Sequence, residues 1–359
     1  MSLALALGRR GLGNTWPNPA VGAVIVREER GAPVIVGRGW TQSGGRPHAE
    51  VEALRRAGGA ARGATMYVTL EPCSHHGKSP PCADAIIAAG VARVVSALED
   101  PNPEVAGQGH ARLRAAGIAV EVGLGSQEAR RAHAGHIRRV VDGRPHVTLK
   151  LALSADGKVG AAGRRPVAIT GEAVRAQVHR MRAMNDAILI GIGTALADDP
   201  QLTCRLPGLE KQSPVRVVLD TDLRLPPGGA LATSARETPV WVVTAAEASG
   251  DAARVLYAQG AELLHAPARA GRLDLAAVVR LLAARGITRL MVEGGPTVAA
   301  SFVAADLVDE AVLFWSAKVL GPDGIDALEG LRLDALTVRL IPLGREPVGD
   351  DSVEFFARA

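Results

Sequence analysis

Four residues in the first quarter of the chain have the types and spacing to do chemistry: His48, Glu50, Cys73 and Cys82. An imidazole nitrogen and two thiolates suit zinc. Three protein ligands leave the fourth tetrahedral position open, which distinguishes a catalytic zinc from a closed structural one. Glu50 stands two residues past His48, where a carboxylate can take a proton from water and return protons to a ring nitrogen and a departing ammonia. Histidine, a glutamate two positions on, and two Pro-Cys pairs (Pro72-Cys73, Pro81-Cys82) together give the pattern of a hydrolytic deaminase. His75 and His76 lie between the cysteines and are rival ligands or substrate-facing groups, while Cys204 reads as a small buried hydrophobe.

The elements around these residues must hold them together. A helix over 49–57 places His48 and Glu50 at its first turn, and a helix over 83–89 begins beside Cys82, after Ser79-Pro80-Pro81. Helix starts favour thiolate over thiol through their exposed N–H groups and partial positive charge. Strands are expected at 21–26, 34–37, 64–70, 92–98 and 119–122, with a third helix at 111–116. This is an α/β layer architecture. A basic helical stretch over 127–141 and the turn Gly143-Arg144-Pro145 read as a linker, after which the pattern restarts. Strands follow at 146–153, 187–191, 215–220, 240–244, 289–293 and 310–315, and helices at 172–184 and 273–285. The organisation expected is a first domain over 1–125, a linker over 126–145 and a second domain over 146–359.

Composition narrows the function classes. A chain of 359 residues has room for two or three domains, and 47% hydrophobic residues supply their cores. Three cysteines cannot build a disulfide framework and point to a reducing compartment. No run approaches the roughly 18–20 apolar residues of a membrane span, and the arginines after the opening apolar run are on the wrong side for a signal peptide. A cytoplasmic protein is expected. Net charge is +4, but the arginines are scattered, and 3% aromatic residues leave no base-stacking platform. No nucleic acid and no membrane are therefore expected as partners. A small phosphorylated ligand suits the modest positive field, and Ala- and Val-rich surfaces permit a homo-oligomer.

The second half shows no metal cluster and no nucleophile–base pair. Gly191-Ile192-Gly193 follows a strand but lacks a third glycine, since Leu196 holds that place. Glu293-Gly294-Gly295-Pro296-Thr297 lies between a strand and a helical run. It reads either as a phosphate cradle, with glycines admitting the ligand and helix N–H groups donating to it, or as a plain strand-to-helix turn.

Eight residues separate Cys73 from Cys82, against two in a generic zinc deaminase. That run, with Asn18-Pro19-Ala20-Val21-Gly22 before it and Glu99-Asp100-Pro101-Asn102-Pro103 and Val105-Ala106-Gly107 after it, resembles the bifunctional deaminase-reductases of riboflavin biosynthesis. The resemblance continues through Lys150-Leu151-Ala152, Ser154-Ala155-Asp156-Gly157, the run from Thr194 to Thr203, Asp220 and the turn at Glu293, and so covers nearly the whole chain. It implies a cytidine-deaminase-like three-layer α/β sandwich followed by a dihydrofolate-reductase-like domain, with Zn2+ and NADPH as cofactors. The implied substrate is a diaminopyrimidinone carrying a phosphoribosylamino group, deaminated by the first half. Its ribosyl group would then be reduced to ribityl by the second.

By the same resemblance, Ala152, Thr194, Asp198, Thr221 and the run Gly295, Pro296, Thr297, Val298, Ala299, Ala300 and Ser301 contact the cofactor. Arg182, Leu202, Arg205 and Glu293, with Asn18 and Lys78 in the first half, contact substrate. A guanidinium fork suits a ribose phosphate. Pro166 and Ala168 depart from the family, which has a polar residue and an aromatic there. Their presence keeps open an alternative, a deaminase with a degenerate reductase half. A nucleic-acid-editing deaminase would want basic clusters, and a structural zinc site would want a fourth ligand and no Glu50.

Overall fold

The computed structural model describes residues 1–75, 80–103, 105–164, 167–246 and 250–358. His76, Lys78 and Pro166 lie outside the described residues. The chain divides into two compact units, Met1–Arg144 and Pro145–Ala359.

The first unit is built on a five-stranded sheet. Strands β1 (Gly22–Glu29) and β2 (Ala32–Trp40) form an antiparallel hairpin, and β3 (Thr65–Val68), β4 (Arg93–Ser96) and β5 (Ala119–Val122) complete the order β2-β1-β3-β4-β5. β3, β4 and β5 run parallel. Parallel neighbours need crossovers, which helices α3 (Cys82–Ala88) and α4 (Gln108–Ala115) provide. Helix α1 (Ser2–Gly8) packs on the hairpin, and α2 (Ala49–Ala57) lies across β2. The alternating apolar residues of β1 and β3 meet Ala49, Ala53, Ala83 and Ile86 in one core, from which Ala23, Ile25, Met66 and Val68 exclude water completely.

Helix α2 sits very close to β2 because Gly37 and Gly39 have no side chains. A Cβ on Gly39 would stand 2.3 Å from the Ala49 carbonyl oxygen, and one on Gly37 2.3 Å from that of Ala53. The expected linker folds as two short helices, α5 (Ser126–Ala132) and α6 (Ala134–Asp142), which group with the first unit. Buried His133 at their junction meets Thr69 Oγ1 at 3.0 Å, and His136 meets Asp100 at 3.1 Å.

The second unit contains, among the described residues, a nine-stranded sheet. Its order is Glu262–His265, Val240–Thr244, Val215–Leu219, Ala187–Gly191, Arg289–Val292, His146–Leu153, Glu310–Trp315, Asp351–Ala357 and Ile341–Val348. The first seven run parallel, and the last two are added through antiparallel pairings. Ala187–Gly191, Val215–Leu219 and Val240–Thr244 are buried at every position, which is why they read as continuous apolar runs rather than alternating ones. Helices α7 (Glu172–Ala183), α8 (Ile192–Asp198) and Pro296–Ala304 connect the central strands. The terminal hairpin, not expected from the sequence, ends in an edge strand exposed at every position but the last and carrying Pro342, Gly344 and Pro347. Those residues read as loop, and edges tolerate them.

Candidate active sites

His48 is the N-cap of α2, and Glu50 lies in that helix's first turn. Their position is therefore fixed by the backbone contact of α2 with Gly37 and Gly39. Cys82 is the first residue of α3 and is buried, with Pro81 as its N-cap, while Cys73 lies in the segment that leaves β3. The three groups converge. His48 Nδ1 is 3.3 Å from Cys82 Sγ and 3.7 Å from Cys73 Sγ, and all three ligand atoms lie within 4.8 Å of one another. One nitrogen and two sulfurs facing a common point form a donor set that fits zinc. His75 is exposed and stands apart from this group.

Electrostatics follows from the crowding. Hydrogen bonds from the Cys82 thiol and backbone N–H, with His48 beside it, outweigh burial and bring Cys73 down to about 4. Cys82 is pushed well up, by its hydrogen bond to Cys73 and by burial. One sulfur of the pair thus carries the proton that a metal would displace. Glu50 is 3% exposed. Burial pushes its carboxyl up to about 6, against the pull of His48. A carboxyl near neutrality beside a metal ligand set is suited to take up and release a proton. Asn18, expected to face substrate, donates from Nδ2 to the Gly45 carbonyl at 3.0 Å and receives Thr15 Oγ1 on its own carbonyl. It ties the 15–18 turn to the segment leading into His48.

In the second unit a cavity of about 620 Å³ opens over the ends of the central parallel strands. Of the residues expected at the cofactor, Ala152, Thr194, Asp198, Gly295, Pro296, Thr297 and Val298 line it; Thr221, Ala299, Ala300 and Ser301 do not. Ala299 and Ala300 are buried, and Ser301 Oγ donates to the Thr297 carbonyl within the helix. Thr221 offers its carbonyl to Thr244 Oγ1 and to the amides of Ala245 and Ala246. The Gly294-Gly295 turn is a close-packed cradle. A Cβ on Gly294 would stand 2.9 Å from Val298 Cβ, and Gly295 N–H donates to Thr194 Oγ1 at 3.0 Å. The helix Pro296–Ala304 has no side-chain cap, so its first N–H groups are available to an anion. Cavity, cradle and helix start fit a dinucleotide.

Beside the cavity stands a charge cluster. Glu293 Oε1 accepts from Lys150 Nζ at 3.1 Å, and Arg182 donates to both Glu293 oxygens at 2.9–3.1 Å and to the Thr203 carbonyl at 3.2 Å. Burial would raise Glu293, but Lys150 and Arg182 outweigh it and hold it below the ordinary range. The Arg182 fork expected to grip a phosphate is therefore committed to Glu293. Arg205 is the exposed guanidinium, held by Gln201 Oε1 and Thr203 Oγ1 at 3.1 and 3.2 Å. Leu202, expected at the substrate, is 4% exposed in the core with φ of 56° and does not line the cavity. Lys150 joins the site without belonging to the residues expected there. Its signal was a lysine inside the apolar strand His146–Leu153, since a lysine drawn into a core must find a partner. Ala168 lines the cavity with a methyl group.

Both units resemble known proteins. A family model for the cytidine and deoxycytidylate deaminase zinc-binding region matches residues 1–98, and one for the RibD C-terminal domain matches residues 145–353. The riboflavin biosynthesis protein RibD of Escherichia coli is 43% identical over 92% of this chain and 91% of its own length. A solved structure of Acinetobacter baumannii RibD superposes with a TM-score of 0.88 at 34% identity, covering 100% of this chain and 97% of that one. The diaminohydroxyphosphoribosylaminopyrimidine deaminase and 5-amino-6-(5-phosphoribosylamino)uracil reductase of Thermotoga maritima gives a TM-score of 0.86 at 35% identity, with the same coverage.

Proposed function

Because this chain belongs to the RibD family of bifunctional riboflavin-biosynthesis enzymes, we propose roles for its individual residues in the two reactions of that family. The reactions are hydrolytic deamination of a phosphoribosylated diaminopyrimidinone and NADPH-dependent reduction of the ribosyl group to ribityl. Zinc and NADPH are the cofactors.

His48, Cys73 and Cys82 hold zinc, whose Lewis acidity makes water a nucleophile at neutral pH. Glu50 takes one proton from the attacking water and passes it to the ring nitrogen, then carries the remaining hydroxyl proton to the departing amine, so that a carbon–oxygen bond replaces a carbon–nitrogen bond and ammonia leaves. Its burial keeps its affinity for the proton high enough for that return journey. The observation that carries this reading is the convergence of one imidazole and two sulfurs, with a buried carboxyl two residues past the imidazole in the first turn of the same helix.

In the second unit NADPH supplies the hydride. Thr194, Asp198 and the turn from Gly295 to Val298 hold it, and Arg205 with the Lys150–Glu293–Arg182 cluster places the substrate. Positioning and exclusion of water carry that step. Free cysteines used as ligands favour a reducing compartment, which supports a cytoplasmic protein. Among the described residues no helix is long and apolar enough to cross a membrane.

The test pairs two assays. Glu50→Gln keeps zinc and loses ammonia release; unchanged turnover would refute its role. Supplied with the deaminated pyrimidine, the protein consumes NADPH, followed by absorbance. If it does not, while zinc-dependent deamination persists, the second half is degenerate.

A further inference from the structure

Cys73 lies outside any helix or strand, yet its sulfur must be held against His48 and Cys82. One side of its segment is fixed locally: Ala83 N–H donates to the Cys73 carbonyl at 3.1 Å and Cys82 N–H to Cys73 Sγ at 3.3 Å. The other side is fixed by helix α4, which carries no zinc ligand. Glu71, two residues before Cys73, is buried, and its carboxylate is filled by backbone donors. Gly109 and His110 reach Oε1 at 2.8 and 3.2 Å, and Asp100 and Gly107 reach Oε2 at 3.1 and 3.0 Å. Four donors take up the lone-pair sites of a carboxylate, so Glu71 has none left for a second metal with neighbouring Glu99 and His110.

The backbone of α4 then comes against the segment itself. A Cβ on Gly109 would stand 2.0 Å from the Pro72 carbonyl oxygen. One turn on, Arg112 donates from Nη1 to the carbonyl of Ser74 at 3.1 Å and pairs with Asp84 of α3 at 2.7–2.9 Å. A single guanidinium thus joins the residue after Cys73 to the helix that opens with Cys82.

We infer that Glu71 and Arg112 are positioning residues for the zinc site, holding the Cys73 segment at the geometry the metal requires, with Arg112 coupling it to the helix of Cys82. This rests on the assignment of His48, Cys73 and Cys82 as ligands. Groups behind a metal's ligands act by fixing their orientation, and losing one typically weakens metal binding about 10–100-fold. A merely structural ion pair on the surface would change folding stability and leave the metal untouched.

The experiment follows zinc transfer from the full-length zinc-loaded protein to an excess of chromophoric chelator, beside thermal unfolding. The control is Arg93→Ala, which removes a surface pair between β4 and β5, Arg93–Glu121 at 2.7 Å. Arg112→Ala is expected to release zinc about 10–100-fold faster with a melting shift no larger than the control's. Arg112→Lys, which can reach Ser74 or Asp84 but not both, falls between. Glu71→Gln, which turns two acceptor sites into donors, releases zinc faster still; if it does not fold, the Arg112 series decides. A release rate for Arg112→Ala equal to that of Arg93→Ala overturns the inference, as does an acceleration matched by its loss of thermal stability. Zinc stoichiometry of Cys73→Ala tests the ligand assignment separately. Full zinc there refutes the ligands, whereas zinc lost there with unchanged release from Arg112→Ala refutes only the positioning role.

Discussion

Replacing Glu293 by glutamine tests the charge cluster beside the cavity. The side chain keeps its shape, but Lys150 and Arg182, only 11% exposed, lose the carboxylate between them. Breaking a buried pair by removing one partner costs about 3–5 kcal/mol, because the remaining charge is left without compensation. Here two cations are left within reach of one amide, and the 15% exposure of Glu293 lets some water help, so the lower end, about 3 kcal/mol, is expected. With a urea slope of about 1–3 kcal/mol per molar, the transition of the second unit moves down by roughly 1–3 M. The pH dependence has a definite sign. The folded state holds Glu293 below its ordinary value, so the stabilisation is fully present above about pH 4.3, the unfolded value. It fades as pH falls through the folded one. Urea titrations of both proteins at pH 7 and near pH 3 read this directly, and the gap between them should narrow at the lower pH. A midpoint shift under about 0.3 M at pH 7, well below the range the slope implies, or a gap that widens in acid, would refute the reasoning.

Three further outcomes follow from the sites. Gly39→Ala places a methyl 2.3 Å from the Ala49 carbonyl and 2.6 Å from the Ala53 nitrogen, lifting α2. It should cost about 1–3 kcal/mol of stability and lower zinc content and deamination together, measured by metal analysis and ammonia release. Ala168→Trp adds an aromatic face to the cavity, and stacking worth about 0.5–1.5 kcal/mol should tighten NADPH binding roughly 2–12-fold in a fluorescence titration; weaker binding would mean the ring has no room. In zinc-free protein at pH 6, Cys73, with its pKa of about 4, is thiolate, so alkylation followed by peptide mapping should label it ahead of Cys82.

Much of the framework was legible because its signals are local. Ala187–Gly191 and Val240–Thr244 are unbroken apolar runs bounded by turn residues, and such runs have few other uses than a buried strand. The zinc group was legible because its chemistry needs particular residue types, and α2 and α3 begin where their starts are marked. The C-terminal hairpin was hidden, since Pro342, Gly344 and Pro347 speak for a loop and only pairing with Asp351–Ala357 makes that segment a strand. The stretch over 127–141 showed its helical composition but not its attachment, which depends on buried His133 finding Thr69 sixty-four positions earlier. The partner of Arg182 was equally non-local. A guanidinium on a helix suits phosphate and carboxylate alike, and only the fold brings Glu293 to it across 111 residues. Glu71 gave no signal of its own, because its four partners are backbone amides that any sequence could supply.

The outermost strand, Ile341–Val348, bears on how the protein behaves when crowded. An open sheet edge is a template on which other chains can deposit, strand after strand. This one has no N–H to offer at Pro342 or Pro347, shifts register between Pro342 and Gly344, and puts Arg345 and Glu346 between them. A newcomer would find an interrupted, charged ladder, too short for the dry stacking that fibrils require. The same irregularity that disguises the strand in the sequence makes this nine-stranded sheet a poor seed for aggregation.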